Sequence, residues 1–283
     1  MSDISFDALP PPALAVKAEE IGVKKGNLDT LSMFFLAILA GAFIAMGAIF
    51  CTTISTGAST LPFGIGRFAA GFVFCLGLIL VVVAGAELFT GNNLIIMAVV
   101  SKKLSVSKML RNWGIVYFGN LVGSVLTALI MYYTGQFTMD KGALGLTALN
   151  IASSKCSLTF MAALTRGIFC NALVCLAVWL CFSARSVVDK IAAIIFPITA
   201  FVANGFEHSI ANMYFIPIGL FIKDMAPESF WAAEKVGKTA ADFASLTWGN
   251  FFIVNLLPVT IGNIIGGGLF VGFIYWIIYS RNK

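Results

Sequence analysis

Apolar residues fall in six long runs along the chain, and short polar segments separate these runs. No charged residue lies between Asp29 and Arg67, and none lies between Phe243 and Ser280. A helix that crosses a membrane needs about 20 predominantly apolar residues. The pattern therefore predicts six transmembrane helices, at residues 31–54, 68–100, 113–135, 157–184, 191–222 and 250–279.

The composition agrees with this pattern and narrows the class of protein. Of the 283 residues, 59% are hydrophobic and only 11% are charged, whereas a soluble domain carries about 25% charged residues. A chain with so few charges cannot cover its folded surface with polar groups, so lipid must surround it. We therefore expect an all-α integral membrane protein, embedded in lipid, with no nucleic-acid partner.

The first thirty residues carry charges of both signs and lack the apolar core of a signal peptide. The sequence ALAVKAEEIGVKK at 13–25 follows three prolines and predicts a short amphipathic helix at the membrane surface. The predicted organisation is thus an N-terminal amphipathic segment at 1–30, a transmembrane domain at 31–280 and a tail at 281–283.

Lysine and arginine predict the orientation. Six spans place both termini on one side, and eleven basic residues lie there against six on the other side. The eleven are Lys17, Lys24, Lys25, Lys102, Lys103, Lys108, Arg111, Arg185, Lys190, Arg281 and Lys283. Because lysine and arginine concentrate in cytoplasmic loops, both termini are predicted to be cytoplasmic.

Two of the six runs, 68–100 and 191–222, are too long for one straight span. A helix of their length extends about 50 Å, whereas the hydrocarbon core is about 30 Å thick. Each run is interrupted by Gly-x-Glu, in GAELFTGNN at 85–93 and in GFEHSIANM at 205–213. The matched positions are Gly85 and Gly205, Glu87 and Glu207, and Asn92 and Asn212.

A second repeated sequence pattern supports an internal repeat. The pattern Gly-Asn-x-x-Gly occurs at 119–123 in the third run and at 262–266 in the sixth. Two halves of three spans, about 31–135 and 157–280, must face opposite ways across the membrane, as in many transporters. Broken helices survive at membrane depth only against protein or a water-filled cavity, so the two breaks predict one central solute pathway.

His208 is the only histidine and lies in the second break. An ionisable group inside a span usually faces a cavity, and imidazole can donate a proton near neutral pH. The alternative is a histidine that only hydrogen-bonds loose backbone. Thr90, in the first break, offers a hydroxyl to the pathway or caps the half-helix that follows.

Other residues near the breaks have less specific interpretations. Glu87, Glu207, Asn92 and Asn212 are expected to hold the broken backbone, and Glu87 and Glu207 to turn away from an anion path. Phe74, Leu78, Phe89 and Phe201 either belong to ordinary packing or form dry constrictions that favour neutral solutes. Without a Cys-x-x-Cys pair or a histidine cluster, no metal or cofactor is expected.

These features resemble the formate/nitrite transporter family, and most closely its formate channel branch. The resemblance runs nearly end to end, through LPFGIGRF at 61–68, AGAELFTGN at 84–92, YFGNLVGS at 117–124, NALVCLAVW at 171–179, FEHSIANMYFIP at 206–217 and LLPVTIGNIIGGGLFVG at 256–272. It implies an aquaporin-like fold with broken second and fifth helices. It also implies a homopentamer in the bacterial inner membrane, with one pore in each protomer.

The resemblance also implies roles for individual residues. His208 would be the central pore histidine, Thr90 the hydroxyl that faces it, and Asn171 an amide nearby. Phe74, Leu78 and Phe201 would form an outer constriction, and Leu88, Phe89 and Val174 an inner one. Lys155 would draw anions into the outer entrance.

The implied function is passage of formate, or of related small monovalent anions or their acids, through this pore. Nitrite or hydrosulfide as the main solute remains an alternative, because such anions differ little in size and charge. A neutral-solute channel typically carries a filter arginine, and no arginine lies at either break. An enzyme would need acid/base pairs or cofactor loops that the chain lacks. A formate-metabolising enzyme at the cytoplasmic face is an implied partner.

Overall fold

The computed structural model describes residues 8–281 and is helical throughout its main elements. The principal helices follow one another as α1 Pro11–Gly26, α2 Thr30–Ser55, α3 Phe63–Gly85, α4 Phe89–Val100, α5 Val106–Tyr133, α6 Ala143–Cys156, α7 Phe160–Ser183, α8 Val187–Ala203, α9 Ser209–Met225 and α10 at 248–279. Residues 1–7 of the predicted N-terminal segment, and 282–283 of the predicted tail, lie outside the described residues.

The second and fifth predicted spans are each divided into two helices, at the predicted breaks. The break between α3 and α4 follows Gly85, whose φ is 85°. The break between α8 and α9 comes after Asn204 and begins at Gly205, whose φ is 69°. Left-handed backbone of this kind is accessible to glycine without a steric penalty. Gly85 and Gly205 therefore end two helices at matched positions.

Five helical segments in the described part of the chain are long and apolar enough to cross a membrane. They are Thr30–Ser55, Phe63–Gly85, Val106–Tyr133, Phe160–Ser183 and Ala240–Tyr279, the last of which contains α10. α8 and α9 have 17 residues each, and α4 is shorter, because the breaks divide the runs to which they belong. The all-α fold with several apolar helices is confirmed, and the count of six spans stays a prediction.

Some helix boundaries differ from the apolar runs. α5 begins at Val106, seven residues before the predicted 113, because the Ser105 hydroxyl accepts a hydrogen bond from the Lys108 N–H and caps the helix. Lys108 and Arg111 lie in its first turns, so this helix begins in polar sequence. α6, which lies between the two halves, was not predicted.

Glycines let paired helices approach to backbone contact. A Cβ added at Gly123 of α5 would collide with the carbonyl oxygen of Ile38 on α2. At the matching position on α10, a Cβ at Gly266 would collide with the carbonyl oxygen of Ile168 on α7. In lipid, where no hydrophobic force draws helices together, such close approach provides the packing that holds them.

We expect Gly266→Ala to destabilise the protein and Gly268→Ala, two residues away, to be tolerated. A Cβ at Gly266 meets backbone, which cannot rotate away, whereas the nearest atoms to a Cβ at Gly268 are 4.0 Å away. Overpacking of this kind costs about 1–3 kcal/mol or more. The thermal midpoint of each purified variant in detergent measures the difference, and equal midpoints would contradict the packing argument.

Candidate solute pathway at the two broken helices

A direct hydrogen bond joins the two breaks. Nε2 of His208, the residue that precedes α9, lies 3.0 Å from Oγ1 of Thr90 in the first turn of α4. Both side chains are buried, with His208 3% and Thr90 0% exposed. The two polar groups that the sequence separates by 118 positions therefore form one buried pair.

The second ring nitrogen of His208 defines the tautomer. Nδ1 accepts a hydrogen bond of 3.0 Å from the backbone N–H of Ala211, so the imidazole caps the N-terminus of α9. A neutral imidazole that accepts at Nδ1 carries its proton on Nε2. Nε2 then donates to the Thr90 oxygen, which leaves the Thr90 hydroxyl hydrogen free to be donated elsewhere.

Asn171 of α7 fixes the Thr90 side of this pair. Its Nδ2 donates to Oδ1 of Asn93 and to the Asn263 carbonyl, both at 2.7 Å, and lies 3.2 Å from the Thr90 carbonyl. Asn171 is completely buried. Its amide therefore holds the backbone of both halves beside Thr90.

Phenylalanine rings adjoin the histidine on one side. The Phe201 ring of α8 lies 5.9 Å from the His208 ring, and the Phe74 ring of α3 lies 5.5 Å from Phe201 in an edge-to-face arrangement. Phe74 also stacks on Phe215 at 6.3 Å. These contacts form a continuous aromatic layer next to the polar pair.

The remaining apolar candidates are buried in the same hydrophobic core. Phe89 contacts Tyr117 at 4.9 Å between ring centroids, and Leu88 and Val174 are 3% and 1% exposed. Leu88 lines a cavity beside α1, and Leu78 lines the same cavity. Leu78 thus lies one helical turn after Phe74 on α3, and it also lines this cavity.

The glutamate of each break forms an ion pair and holds an asparagine. Glu87 pairs with Lys25 of α1 at 2.6 Å and accepts from Nδ2 of Asn92 at 2.7 Å. Asn92 also donates to Oδ1 of Asn112 at 2.9 Å, and Asn112 donates to the carbonyl of Lys25 at 3.2 Å. Three buried side chains, together with the ammonium and the main-chain carbonyl of the partly exposed Lys25, close a ring around the first break.

The second break repeats this ring atom for atom. Glu207 pairs with Lys155 of α6 at 2.9 Å and accepts from Nδ2 of Asn212 at 2.7 Å. Asn212 donates to Oδ1 of Asn255 at 2.7 Å, and Asn255 donates to the carbonyl of Lys155 at 3.1 Å. The two halves therefore have the same internal architecture, and α6 stands in the second half where α1 stands in the first.

Asn120 and Asn263 fix the first backbone amide of each half-helix. Oδ1 of Asn120 accepts from the Phe89 N–H at 3.0 Å, and Oδ1 of Asn263 accepts from the Ser209 N–H at 2.9 Å. Their Nδ2 atoms donate to the carbonyls of Glu87 and Glu207, at 2.9 and 3.0 Å. The Gly-Asn-x-x-Gly echo in the sequence contained these two residues without revealing their role.

Sequence reasoning missed other members of these rings, namely Lys25, Asn112 and Asn255. The offset of 143 residues that relates Asn120 to Asn263 also relates Asn112 to Asn255, and that regularity was the available signal. Lys155 lies in an ion pair and 5.5 Å from the Phe215 ring. No group of three His, Cys, Asp or Glu side chains within residues 8–281 is placed to hold a metal ion.

Apolar helices that break in pairs around a buried polar contact define a multi-pass membrane transport protein. A family model for formate/nitrite transporters matches residues 12–277. The chain is 48% identical to the formate channel FocA of Escherichia coli strain K12, over 100% of this chain and 98% of that protein. It is 39% identical to the formate channel FocA of Haemophilus influenzae, over 95% of this chain and 94% of that protein.

Solved structures agree with the sequence comparisons. A pentameric formate channel with formate bound matches with a TM-score of 0.84 and 49% identity, over 89% of this chain and 98% of that chain. The chain therefore belongs to the formate/nitrite transporter family. Because this is a family of transporters and channels, the protein is not an enzyme.

Proposed function

We propose that the protein is a formate channel in which Thr90 and His208 form the central polar binding site of the pathway. The observation that carries this proposal is their 3.0 Å hydrogen bond, which joins the two broken helices next to the aromatic layer. The FocA relatives, named as formate channels, support formate as the solute.

Solute passage is proposed to alternate between apolar and polar surroundings. Phe74, Leu78 and Phe201 form the outer constriction, and Leu88, Phe89 and Val174 form the inner one. A bare anion enters such a dry constriction at high cost, whereas a neutral acid pays much less. Between the constrictions, a formate oxygen accepts the free hydroxyl hydrogen of Thr90.

His208 then acts in one of two ways. It transfers a proton to formate, which leaves as formic acid, or its imidazolium accompanies the anion. Both routes need a proton on Nδ1, which accepts from the Ala211 N–H in the structure. Protonation of His208 is therefore coupled to loss of the α9 cap, and the geometry supports a neutral imidazole as the resting form.

The rings of hydrogen-bonded side chains around the breaks support separate roles for the pore residues and for the charged residues that hold the breaks. Lys25 and Lys155 are each paired with a glutamate, so the charges of Glu87 and Glu207 are balanced. Glu207 is held away from the anion path, whereas Glu87 lines the cavity beside α1. The Lys155 side chain is 14% exposed. The part of its positive charge that Glu207 does not balance attracts anions to the outer entrance. Asn92, Asn212, Gly85 and Gly205 have structural roles in holding the breaks.

The assembly and location follow the same relatives. We infer a homopentamer with a pore in each protomer, by likeness to the pentameric formate channel. We place it in the bacterial inner membrane, surrounded by lipid, with segment 1–30 and residues 281–283 in the cytoplasm. A formate-metabolising enzyme at the cytoplasmic face is the partner to seek.

The test is formate flux through the purified protein in liposomes at several pH values. We expect fast formate flux that rises in acid, with nitrite as a weaker competitor and glycerol without effect. Acetate tests whether the constrictions reject one extra methyl group. Glycerol flux without formate flux would overturn the proposal, and a clear preference for nitrite or hydrosulfide would replace the solute but keep the pathway.

A further inference from the structure

A cavity of about 670 Å³ lies between α1 and the first broken helix. Its lining includes Leu88 of the proposed inner constriction and Leu78 of the proposed outer one, together with residues of α1. We call it the α1 cavity. Anything that occupies the α1 cavity stands directly in front of the pathway.

The basic residues of the α1 cavity come from two separate parts of the chain. Lys17, Lys24 and Lys25 line it from α1, and Lys190 lines it from the first turn of α8. Glu87 is the carboxylate among the lining residues, so the lining carries four positive charges and one negative charge. This charge balance favours an anion, within a lining that is otherwise mostly apolar.

Two of these lysines already have partners. Nζ of Lys25 pairs with Glu87 at 2.6 Å, and Nζ of Lys17 donates to the Phe182 carbonyl at 2.6 Å. The ammonium groups of Lys24 and Lys190 make no hydrogen bond or ion pair with any residue in the described range 8–281. They are available to a ligand.

Helix dipoles do not account for this arrangement. Lys24 lies in the last turn of α1, where a cation is favourable. Lys190 lies in the first turn of α8, where the dipole disfavours a cation. The dipole of α8 therefore does not stabilise the charge of Lys190, which belongs to the basic residues predicted on the cytoplasmic side.

The size of the cavity points away from formate as its best occupant. Cavities of about 300–1,000 Å³ suit ligands much larger than one carbon and two oxygens. Lysine ammonium groups on flexible stems act as point charges that gather around a cluster of phosphate or carboxylate oxygens. A monovalent anion can engage only a small part of this set at one time.

We propose that the α1 cavity is a regulatory site for a soluble anion with several adjacent negative charges, of the polyphosphate or tricarboxylate class. Such an anion engages Lys24 and Lys190 together, bridges α1 to α8 and blocks formate from reaching Leu88. The blocking effect rests on the proposed transport function. Binding at the site does not depend on it.

The first experiment measures binding of tripolyphosphate to the full-length protein in detergent by calorimetry. We expect the double variant Lys24→Gln/Lys190→Gln to bind at least about tenfold more weakly, because two nearby charges are lost. The matched control is Lys102→Gln/Lys238→Gln, which removes two exposed lysines outside the cavity. Equal weakening in both double variants, or no binding to the parent protein, would overturn the site.

The second experiment measures formate flux in liposomes with tripolyphosphate or with sodium chloride at equal ionic strength, since salt alone screens surface charge. We expect tripolyphosphate to inhibit the parent protein and to lose its effect in Lys24→Gln/Lys190→Gln. Inhibition that persists in this double variant would overturn the blocking role. Absence of any formate flux would refute the transport function, while the binding experiment would still decide the site.

Discussion

Formate flux should fall at least about tenfold when His208 is replaced by phenylalanine. A hydrogen bond to a charged acceptor contributes about 1.5–3 kcal/mol, and each 1.4 kcal/mol in a barrier changes a rate about tenfold. The phenyl ring cannot donate to the Thr90 oxygen, which lies 3.0 Å from Nε2, so the Thr90 hydroxyl that donates to the formate anion is no longer held in place. Flux in liposomes, followed between mildly acidic and neutral pH, measures the loss.

The phenylalanine variant also removes the cap of α9, at a cost of about 1 kcal/mol, so a matched variant is needed. His208→Asn supplies a side chain that caps helices well but cannot be protonated near neutral pH. We expect it to fold with the parent's thermal midpoint and to lose the acid stimulation of flux. If the folded asparagine variant kept both the flux and its acid response, the imidazole would have no part in transport.

The sequence predicted the breaks because they depend on local chemistry. A run too long for one span must bend or break, and Gly85 and Gly205 supply the left-handed backbone at which the helices end. His208 was recognisable because it is the only histidine and lies at a break in an apolar run, where an ionisable group usually faces a cavity. Its pairing with Thr90 joins distant parts of the chain, and only the family resemblance anticipated it.

The rings around the breaks were beyond local reasoning. Asn112 follows Arg111 just before the third apolar run, and Asn255 lies in the sixth run. Their roles arise only when α5 and α10 pack against the breaks. Lys25 lies in segment 13–25, for which the sequence predicted an amphipathic helix at the membrane surface. Its equivalence to Lys155 appears only because α1 and α6 carry the same ion pair and the same carbonyl contact.

Each of the two breaks is held by an ion pair that includes a buried glutamate. Replacing one of these glutamates should therefore lower the stability of the protein strongly. Glu207 is 4% exposed and balances the charge of Lys155, which is 14% exposed at its side chain. Removing one partner of a buried pair leaves an uncompensated charge and costs about 3–5 kcal/mol. We therefore expect Glu207→Ala to lower the thermal midpoint sharply, or to prevent the protein from folding.

The double variant Lys155→Met/Glu207→Gln separates the cost of an unpaired charge from the need for the pair itself. Replacing both partners of a buried pair is often neutral or stabilising, and glutamine keeps an acceptor for the amide of Asn212. We expect this variant to recover most of the midpoint lost in Glu207→Ala. The exposed pair between Lys141 and Glu234 provides the control, because Glu234→Ala should cost no more than about 1 kcal/mol. Equal losses in Glu207→Ala and Glu234→Ala would mean that the ring does not hold the break, and that the fold depends on helix packing alone.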